Sequence, residues 1–312
     1  MSLPDVQSRR AEKPYRLTRV GVTGVVKPVR VSRGGHANHL VATFDVSVDL
    51  PAEQRGTHMS RNIEVVNRVI DEHVRKETAS LEDLASGIAH ALLERHEYAA
   101  EAEAEVTADY FRERKTPQNH APTLERYQLY ANATVARGGG ETRSIGVEVV
   151  GMTACPCAME GSRHVLQERG HVVGDFPTIT HNQRNVATLL LETPAGHMAD
   201  TDVQARPIDV HESKWVDVEA DELIDIAEAS LSAPTFELLK RGDETALVLH
   251  AHENPRFVED VVREMLHAVV TRYAGRLPDE TLVHARSVAE ESIHKHDAFA
   301  ERTTTLGELR QA

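Results

Sequence analysis

Hydrophobic positions recur along the chain with two periods, and each period predicts a kind of element. Between residues 38 and 50, apolar side chains from Leu40 to Val48 occupy every second position, which is the period of a half-buried strand. Residues 62–76 and 80–97 instead carry apolar side chains every three or four positions, which predicts two amphipathic helices.

Polar residues predict where these two helices begin. Ser60 stands at the start of the first and Ser80 at the start of the second, and serine is a preferred N-cap residue. Asp83 follows Ser80 by three positions, which makes the aspartate variant of a capping box.

The same two periods predict an α+β protein over the rest of the chain. Strands are predicted at residues 16–29, 38–50, 102–112, 124–136, 142–152, 186–192, 281–289 and 296–305, and further helices at 221–230 and 256–274. Glycine-rich turns are predicted at 32–35 and 137–140, and an inserted loop at 159–178. The order favours two tandem ββααββ units, with an N-terminal arm over 1–14, a first unit over 15–137 and a second over 138–312.

The charge is strongly acidic. The 312 residues include 49 acidic and 35 basic side chains, a net charge of −14, and 28 of the basic residues are arginine. A lysine-poor acidic surface is typical of proteins from a high-salt cytoplasm, so we expect a halophilic source. The alternative is an acidic protein from a GC-rich genome that prefers arginine codons. This charge argues against nonspecific nucleic-acid binding.

Neither a membrane span nor a secretion signal is predicted. No apolar run approaches the roughly 20 residues of a membrane helix, and the first residues lack the apolar core of a signal peptide. We therefore expect a cytoplasmic protein.

Three polar clusters carry the groups that bind a borderline transition metal. They are Cys155-Pro156-Cys157, His181-Asn182-Gln183-Arg184, and the segment from Glu291 to Asp297, which contains His294 and His296. Two cysteines one residue apart are poorly placed for a disulfide and favour ligands or reactive thiols. The alternatives are two cysteines that pack as small apolar residues and a solvated polar loop.

Two His-x-His pairs are further candidate ligands. His250 and His252 would point the same way if their segment were extended, and His294 and His296 repeat the spacing. Because the chain has 18 histidines, such pairs also arise by chance.

Taken together, the motifs resemble the type IB GTP cyclohydrolases, and specifically their archaeal branch. The resemblance runs from about residue 15 to about residue 305 and rests on six ordered motifs. They are Gly56-Thr57-His58-Met59-Ser60-Arg61, the Cys-Pro-Cys and His-Asn-Gln-Arg runs, Leu238-Leu239-Lys240-Arg241, the run from Glu253 to Asp260, and Glu291 to Asp297. The resemblance implies the tunnelling fold (T-fold), in which two ββααββ units per chain form an oligomeric β-barrel with helices outside. It also implies a homotetramer, a dimer of dimers, with sites between subunits.

By resemblance, one divalent metal per subunit is held by Cys155 and His181, and Glu291, His294 and His296 belong to the same catalytic site. His250 stands where the bacterial pattern has a glutamate, and it is therefore a further expected ligand. This imidazole favours Fe(II), with Mn(II) or Zn(II) as alternatives.

The resemblance also implies a reaction. Water activated by the metal attacks C8 of the guanine ring of GTP, a histidine moves protons, and formate leaves. The archaeal product is 7,8-dihydroneopterin 2′,3′-cyclic phosphate, and the bacterial alternative is the triphosphate. The expected phosphate ligands are His58, Ser60, Arg61, Arg184, Lys240 and Arg241, and Glu259 or Glu264 is expected at the guanine edge.

Two other classes of function remain open. One is a tunnelling-fold enzyme that uses Cys155 as a nucleophile, as nitrile reductases do; it would need NADPH and no metal. The other is a non-enzymatic metal-binding protein, which would have a closed four-ligand site.

Overall fold

The structure, a computed structural model, describes residues 5–33, 36–75, 80–194, 218–273 and 275–312. Nine strands are described there: β1 (Leu17–Arg33), β2 (His36–Leu50), β3 (Glu101–Lys115), β4 (Pro122–Ala136), β5 (Glu141–Ala154), β6 (Asn182–Pro194), β7 (Ala233–Pro234), β8 (Leu282–Ala289) and β9 (Ala298–Thr305). The helices in the same ranges are α1 (Met59–Arg75), α2 (Leu81–Arg95), α3 (Pro156–Glu168), α4 (Ala220–Ala229), α5 (Arg241–Glu253), α6 (Val258–Tyr273) and α7 (Leu306–Gln311).

The strands form one sheet in which sequence neighbours are hydrogen-bonded neighbours. The order is β1-β2-β3-β4-β5-β6-β8-β9, and the short β7 pairs with β5. The β1–β2, β2–β3 and β8–β9 pairs are antiparallel, and Val46 stands opposite Ala104 in the second of them. The predicted α+β class, with an antiparallel sheet and helices, is confirmed.

The described residues group into two compact units. The first contains 1–109, 130–145 and 192–217, and the second contains 110–129, 146–191 and 218–312. In the first unit, α1 contacts β1 and α2 contacts β2. Phe44 of β2 and Ile88 of α2 are fully buried there, so the apolar stripes that predicted these elements form the core.

In the second unit, α6 packs on β8 and β9, and α4 and α5 contact β7. Met265 of α6 and Ala285 of β8 have no exposed surface. Helices α4 and α6 are joined by a hydrogen bond of 3.0 Å, which the hydroxyl of Tyr273 on α6 donates to the carboxylate of Glu222 on α4.

The predicted strands all have counterparts, the short β7 was not predicted, and the other differences lie in the helices. The inserted loop predicted at 159–178 is wrong over its first part, because α3 extends to Glu168. Helices α5 and α7 were not predicted at all. The first six elements follow the order ββααββ, whereas α3 separates the next two strands. The tandem repeat and its boundary therefore stay a prediction.

The two predicted N-caps have different outcomes. Ser80 is the N-cap of α2, and its hydroxyl accepts a hydrogen bond of 3.1 Å from the backbone N–H of Asp83. Ser60 as an N-cap is wrong, because α1 already begins at Met59 and Ser60 lies in its first turn. The predicted turn at 32–35 falls partly outside the described residues. None of the described helices is long and apolar enough to span a membrane.

Candidate active site

Cys155 directly follows β5 and is the N-cap of α3. Its Sγ accepts a hydrogen bond of 3.4 Å from the backbone N–H of Ala158, and Pro156 occupies the first turn, where a missing N–H costs nothing. The side chain of Cys155 is part-buried, whereas that of Cys157 is exposed. The Cys-Pro-Cys run is therefore a helix start, and its two thiols have different surroundings.

Backbone contacts bring His181 to Cys155, although 26 positions separate them in the sequence. The N–H of Cys155 donates to the carbonyl oxygen of His181 at 3.1 Å. The hydroxyl of Thr180 donates to the carbonyl oxygen of Cys155 at 2.6 Å. The loop after α3 thus returns the His-Asn-Gln-Arg run to the end of β5.

The ring of His181 is held from one side. Its Nδ1 lies 2.9 Å from Oε1 of Gln183, and Nε2 of Gln183 donates to Oγ1 of Thr153 at 3.1 Å. An amide oxygen only accepts, so this contact fits a ring with a proton on Nδ1, and in the neutral ring of that form Nε2 has the lone pair. That free nitrogen is the one a metal could use.

Glu291 follows β8 and lies beside this ring. One of its carboxylate oxygens, Oε2, is 3.7 Å from Nδ1 of His181. The same oxygen is buried and has no hydrogen-bond partner in the structure. A buried carboxylate oxygen without a partner is costly, and a cation would satisfy it.

The side chains near His181 are of the types that bind a divalent metal. A thiol, an imidazole and a carboxylate are the ligands that zinc and iron accept. The described residues contain no group of three histidine, cysteine, aspartate or glutamate side chains that is close enough to hold an ion. The structure therefore brings Cys155, His181 and Glu291 into one region without a finished coordination sphere.

His250 is placed differently from the extended pair that the sequence allowed. It lies in the last turn of α5, is exposed, and its Nδ1 is 3.3 Å from Nδ2 of Asn254. Residues two positions apart on a helix differ by about 200° in direction around its axis, so the side chains of His250 and His252 point different ways. The structure does not group His250 with His181.

His294 and His296 lie in the turn between β8 and β9. Both are exposed, and their rings stack with centroids 5.2 Å apart and an interplanar angle of 19°. The residues are solvent-accessible and near Glu291 in sequence. This arrangement suits proton exchange with water, although neither ring contributes to a ligand group.

Five of the six expected phosphate ligands lie at the starts of two helices. His58, Ser60 and Arg61 surround the start of α1 in the first unit, and Nε2 of His58 lies 3.3 Å from Oδ2 of Asp5. Lys240 and Arg241 open α5 in the second unit and are exposed. Backbone N–H groups at a helix start attract anions.

The two candidate guanine carboxylates lie on α6. Glu259 is exposed in its first turn. Glu264 lies one to two turns further along, and its Oε2 is 3.7 Å from Nη1 of Arg256. The backbone of Arg256 is hydrogen-bonded next to the site. Its backbone N–H donates to the carbonyl oxygen of Ala154, the residue before Cys155, at 3.0 Å.

Comparison with known proteins decides the family. A sequence profile described as "Type I GTP cyclohydrolase folE2" matches residues 3–300. The chain belongs to the type I GTP cyclohydrolase family. A relative named GTP cyclohydrolase MptA, from Methanothermobacter thermautotrophicus, is 40% identical over 98% of this chain and 95% of its own length. A second, GTP cyclohydrolase MptA 1 from Methanocella arvoryzae, is 40% identical over 100% and 96%.

The solved structures show the fold alone. A uricase from Bacillus fastidious matches with a TM-score of 0.51 at 11% identity, over 95% of this chain and 96% of its own. This likeness agrees with the α+β sheet architecture.

Within this GTP cyclohydrolase, Arg184 faces away from the Cys155–His181 pair. Successive side chains of a strand point to opposite faces, so Arg184 lies opposite Gln183 and Asn185 on β6. It lines a cavity of about 610 Å³ together with Glu148, Phe236 and other side chains of the second unit.

That cavity also contains a buried carboxylate–phenol pair. Tyr127 donates to Oε1 of Glu228 at 2.6 Å, and both side chains are buried. Burial, together with the hydrogen bond and the negative charge of Glu228, raises the pKa of Tyr127. The phenol is therefore neutral at physiological pH.

Two residues that were not predicted as site residues position the ring of His181. Thr153 and Gln183 hold the ring of His181, and neither was a predicted site residue. Gln183 was within reach of sequence reasoning, because it lies two positions after His181 and would share its side of a strand. Thr153 carried no such signal, since only the pairing of β5 with β6 places it there.

Proposed function

We propose that this chain opens the guanine imidazole ring of GTP in a metal-dependent hydrolysis, releases formate and forms 7,8-dihydroneopterin 2′,3′-cyclic phosphate for pterin biosynthesis. Membership of the GTP cyclohydrolase family and the relatives named MptA support the reaction. The observation that supports the site is the junction of Cys155 with His181, whose Nε2 has a free lone pair.

Cys155, His181 and Glu291 would hold the metal, with His250 and His294 as proposed additional ligands. When bound, a divalent metal lowers the pKa of water and so supplies a nucleophile near neutral pH. The softness of thiolate and imidazole favours Fe(II) or Zn(II), and we propose Fe(II) as the native ion. The buried, unpartnered Oε2 of Glu291 supports a cation in this region.

The remaining steps fall to the side chains. His294 and His296 exchange protons with solvent and can pass one to a ring nitrogen of the opened base. Glu259 or Glu264 accepts N–H donors from the guanine edge. Cationic and helix-start groups bind the triphosphate; they are His58, Ser60, Arg61, Arg184, Lys240 and Arg241.

The reaction is tested with protein purified without oxygen at high salt. The apoprotein is given Fe(II), Mn(II) or Zn(II) and GTP, and formate and pterin fluorescence are measured. We expect formate with at least one metal, and the phosphate count of the product distinguishes the cyclic phosphate from the triphosphate. If no metal supports formate release, the proposal is wrong.

The two cysteines provide matched variants for the site. Cys155→Ala and His181→Ala should each reduce turnover by at least 1,000-fold, because each removes a ligand, whereas exposed Cys157→Ala should reduce it less than tenfold. Turnover is measured as formate released under saturating GTP and metal. Equal losses in all three variants would contradict the ligand assignment.

We also infer a cytoplasmic homotetramer, a dimer of dimers, from the family. β1 and β9 stand at the two ends of the strand order, and free strand edges in a native protein are commonly paired or covered. Pairing of such edges between copies would close the sheet into a barrel.

A further inference from the structure

The side chain of Gln183 bridges His181 to Thr153. We propose that Gln183, held in place by Thr153, is a positioning residue that fixes His181 in the tautomer with a proton on Nδ1 and a free lone pair on Nε2. This inference rests on the proposed metal-dependent function and names the residues that prepare its histidine ligand.

In the structure the amide of Gln183 has one orientation, in which its oxygen faces His181 and its nitrogen faces Thr153. A glutamine amide offers one accepting oxygen and one donating nitrogen. Nε2 of Gln183 donates to Oγ1 of Thr153 at 3.1 Å, which turns Oε1 toward Nδ1 of His181 at 2.9 Å. With the amide reversed, its nitrogen would donate to Nδ1 and force the ring proton onto Nε2.

Thr153 holds the side chain of Gln183 in place, because it is itself buried. It is 1% exposed and lies on β5, the neighbour of the strand that carries Gln183. On the same face of β6, Asn185 is fully buried and its Oδ1 accepts from the hydroxyl of Ser287 at 2.9 Å. The strand below the bridge is therefore fixed on both sides.

The tautomer matters because a metal binds the unprotonated nitrogen of a neutral imidazole. Without Gln183, the ring proton can reside on Nε2, and the ring can rotate. Oε2 of Glu291 is also near Nδ1, but at 3.7 Å it is beyond hydrogen-bond distance. Glu291 therefore does not replace Gln183 in this arrangement.

The test combines four variants with two readouts that need no GTP. Gln183→Leu removes the acceptor, Gln183→Glu keeps it, Thr153→Val removes the anchor, and Gln167→Leu is the matched control on the exposed surface of α3. The tautomer is read from long-range ¹H–¹⁵N spectra of metal-free, histidine-labelled protein, with the His181 signal assigned from His181→Gln. Metal affinity is measured by titration with Co(II).

In the wild type and in Gln183→Glu we expect the Nδ1–H tautomer and similar Co(II) affinity. In Gln183→Leu the Nε2–H form should appear and the affinity should fall 10- to 100-fold, the usual effect of losing a partner of a metal-bound histidine. Thr153→Val should lose less Co(II) affinity than Gln183→Leu, and Gln167→Leu should have the wild-type affinity. If Gln183→Leu fails to fold, the tautomer of His181 in Gln183→Glu still tests the proposal.

Two results would overturn the inference: an Nε2–H tautomer in the wild type or in Gln183→Glu, or unchanged tautomer and affinity in folded Gln183→Leu. Either can occur while the wild type still releases formate from GTP, so the proposed function would stand. Conversely, absence of formate with every metal would refute the proposed function, whereas the metal-free spectra would still decide the role of Gln183.

Discussion

At the residue scale, a buried histidine organises the motif at the start of α1. His96 has no exposed surface, and its Nε2 donates to Oδ1 of Asn62 at 2.7 Å. Its Nδ1 is 2.9 Å from the hydroxyl of Tyr98, which in turn lies 2.6 Å from Oγ1 of Thr57. These contacts join His96 to Thr57, the residue before His58, while the side-chain nitrogen of Asn62 is buried without a hydrogen-bond partner.

The same histidine predicts a pH dependence of stability. Burial, together with the charges of Arg61, His58 and Arg95, lowers the pKa of His96 from 6.5 to about 4. Above pH 6.5 the ring is neutral whether the chain is folded or unfolded, so its contribution is complete. As the pH falls toward 4, only the unfolded chain gains the proton, which lowers the free energy of unfolding. Between pH 7 and pH 5 we expect a loss of roughly 2 kcal/mol.

Urea unfolding at pH 7 and pH 5 and constant salt measures this loss. His96→Asn should be less stable at pH 7 but less sensitive to pH by about the same 2 kcal/mol. The exposed His164→Asn is the matched control and should retain the wild-type pH dependence. Equal pH dependence in wild type and His96→Asn would contradict the assignment.

At the element scale, one carboxylate joins the β3–β4 turn to the start of α5. Asp243 is 1% exposed, and its carboxylate accepts from the backbone N–H groups of Gln118 and Asn119, both at 2.9 Å. It also accepts from the side-chain amide of Asn119 at 2.7 Å and from the N–H of Lys240 at 3.3 Å. These donors lower the pKa of Asp243 against the opposing effect of burial. The carboxylate thereby sets the position of Lys240.

Replacement of Asp243 therefore tests both stability and substrate binding. Asp243→Ala removes the charged acceptor of these four donors, and we expect a loss of about 2 kcal/mol in the free energy of unfolding. Because Lys240 and Arg241 would shift, KM for GTP should rise more than kcat falls. Urea unfolding and steady-state kinetics measure the two effects.

Glu244→Ala is the control, because Glu244 lies in the same helical turn but is exposed. It loses only a favourable interaction with the helix dipole, and we expect less than about 1 kcal/mol. Similar losses in both variants would show that the turn contacts of Asp243 are not the source of the stability.

At the scale of the whole molecule, a net charge of −14 opposes the compact state. Surface ion pairs such as Arg95 with Glu64 offset little of this repulsion, since exposed pairs contribute about 0–1 kcal/mol each. Screening by salt should therefore weaken the repulsion by more than it weakens the pairs.

We expect the melting temperature to rise by several degrees between 0.1 and 2 M KCl, measured by circular dichroism. A sucrose series is the control, because it favours the compact state without changing ionic strength. A melting temperature that falls with KCl would contradict the halophilic interpretation. Sedimentation velocity in the same buffers tests the proposed tetramer.

Eight of the nine described strands and four of the described helices, α1, α2, α4 and α6, could be predicted from the sequence alone, as could the family and the kinds of chemical group at the site. Period-two and helical patterns are local properties, so β2 and α2 could be predicted from neighbouring residues, as could the Ser80 cap. The sequence pattern missed α5, because the apolar and polar residues of that helix are weakly segregated, and α3, because glycines suggested a loop.

Which of these groups lie together depends on long-range contacts that the sequence pattern does not report. Cys155 and His181 are joined by a backbone hydrogen bond across 26 positions, and no periodicity reports a contact of that kind. The tertiary structure also placed Arg184 on the other face of β6 from Gln183, and it added Thr153 from a neighbouring strand. Ligand types follow from the residues themselves, whereas the orientation and protonation of a ligand follow from the strand pairing that surrounds it.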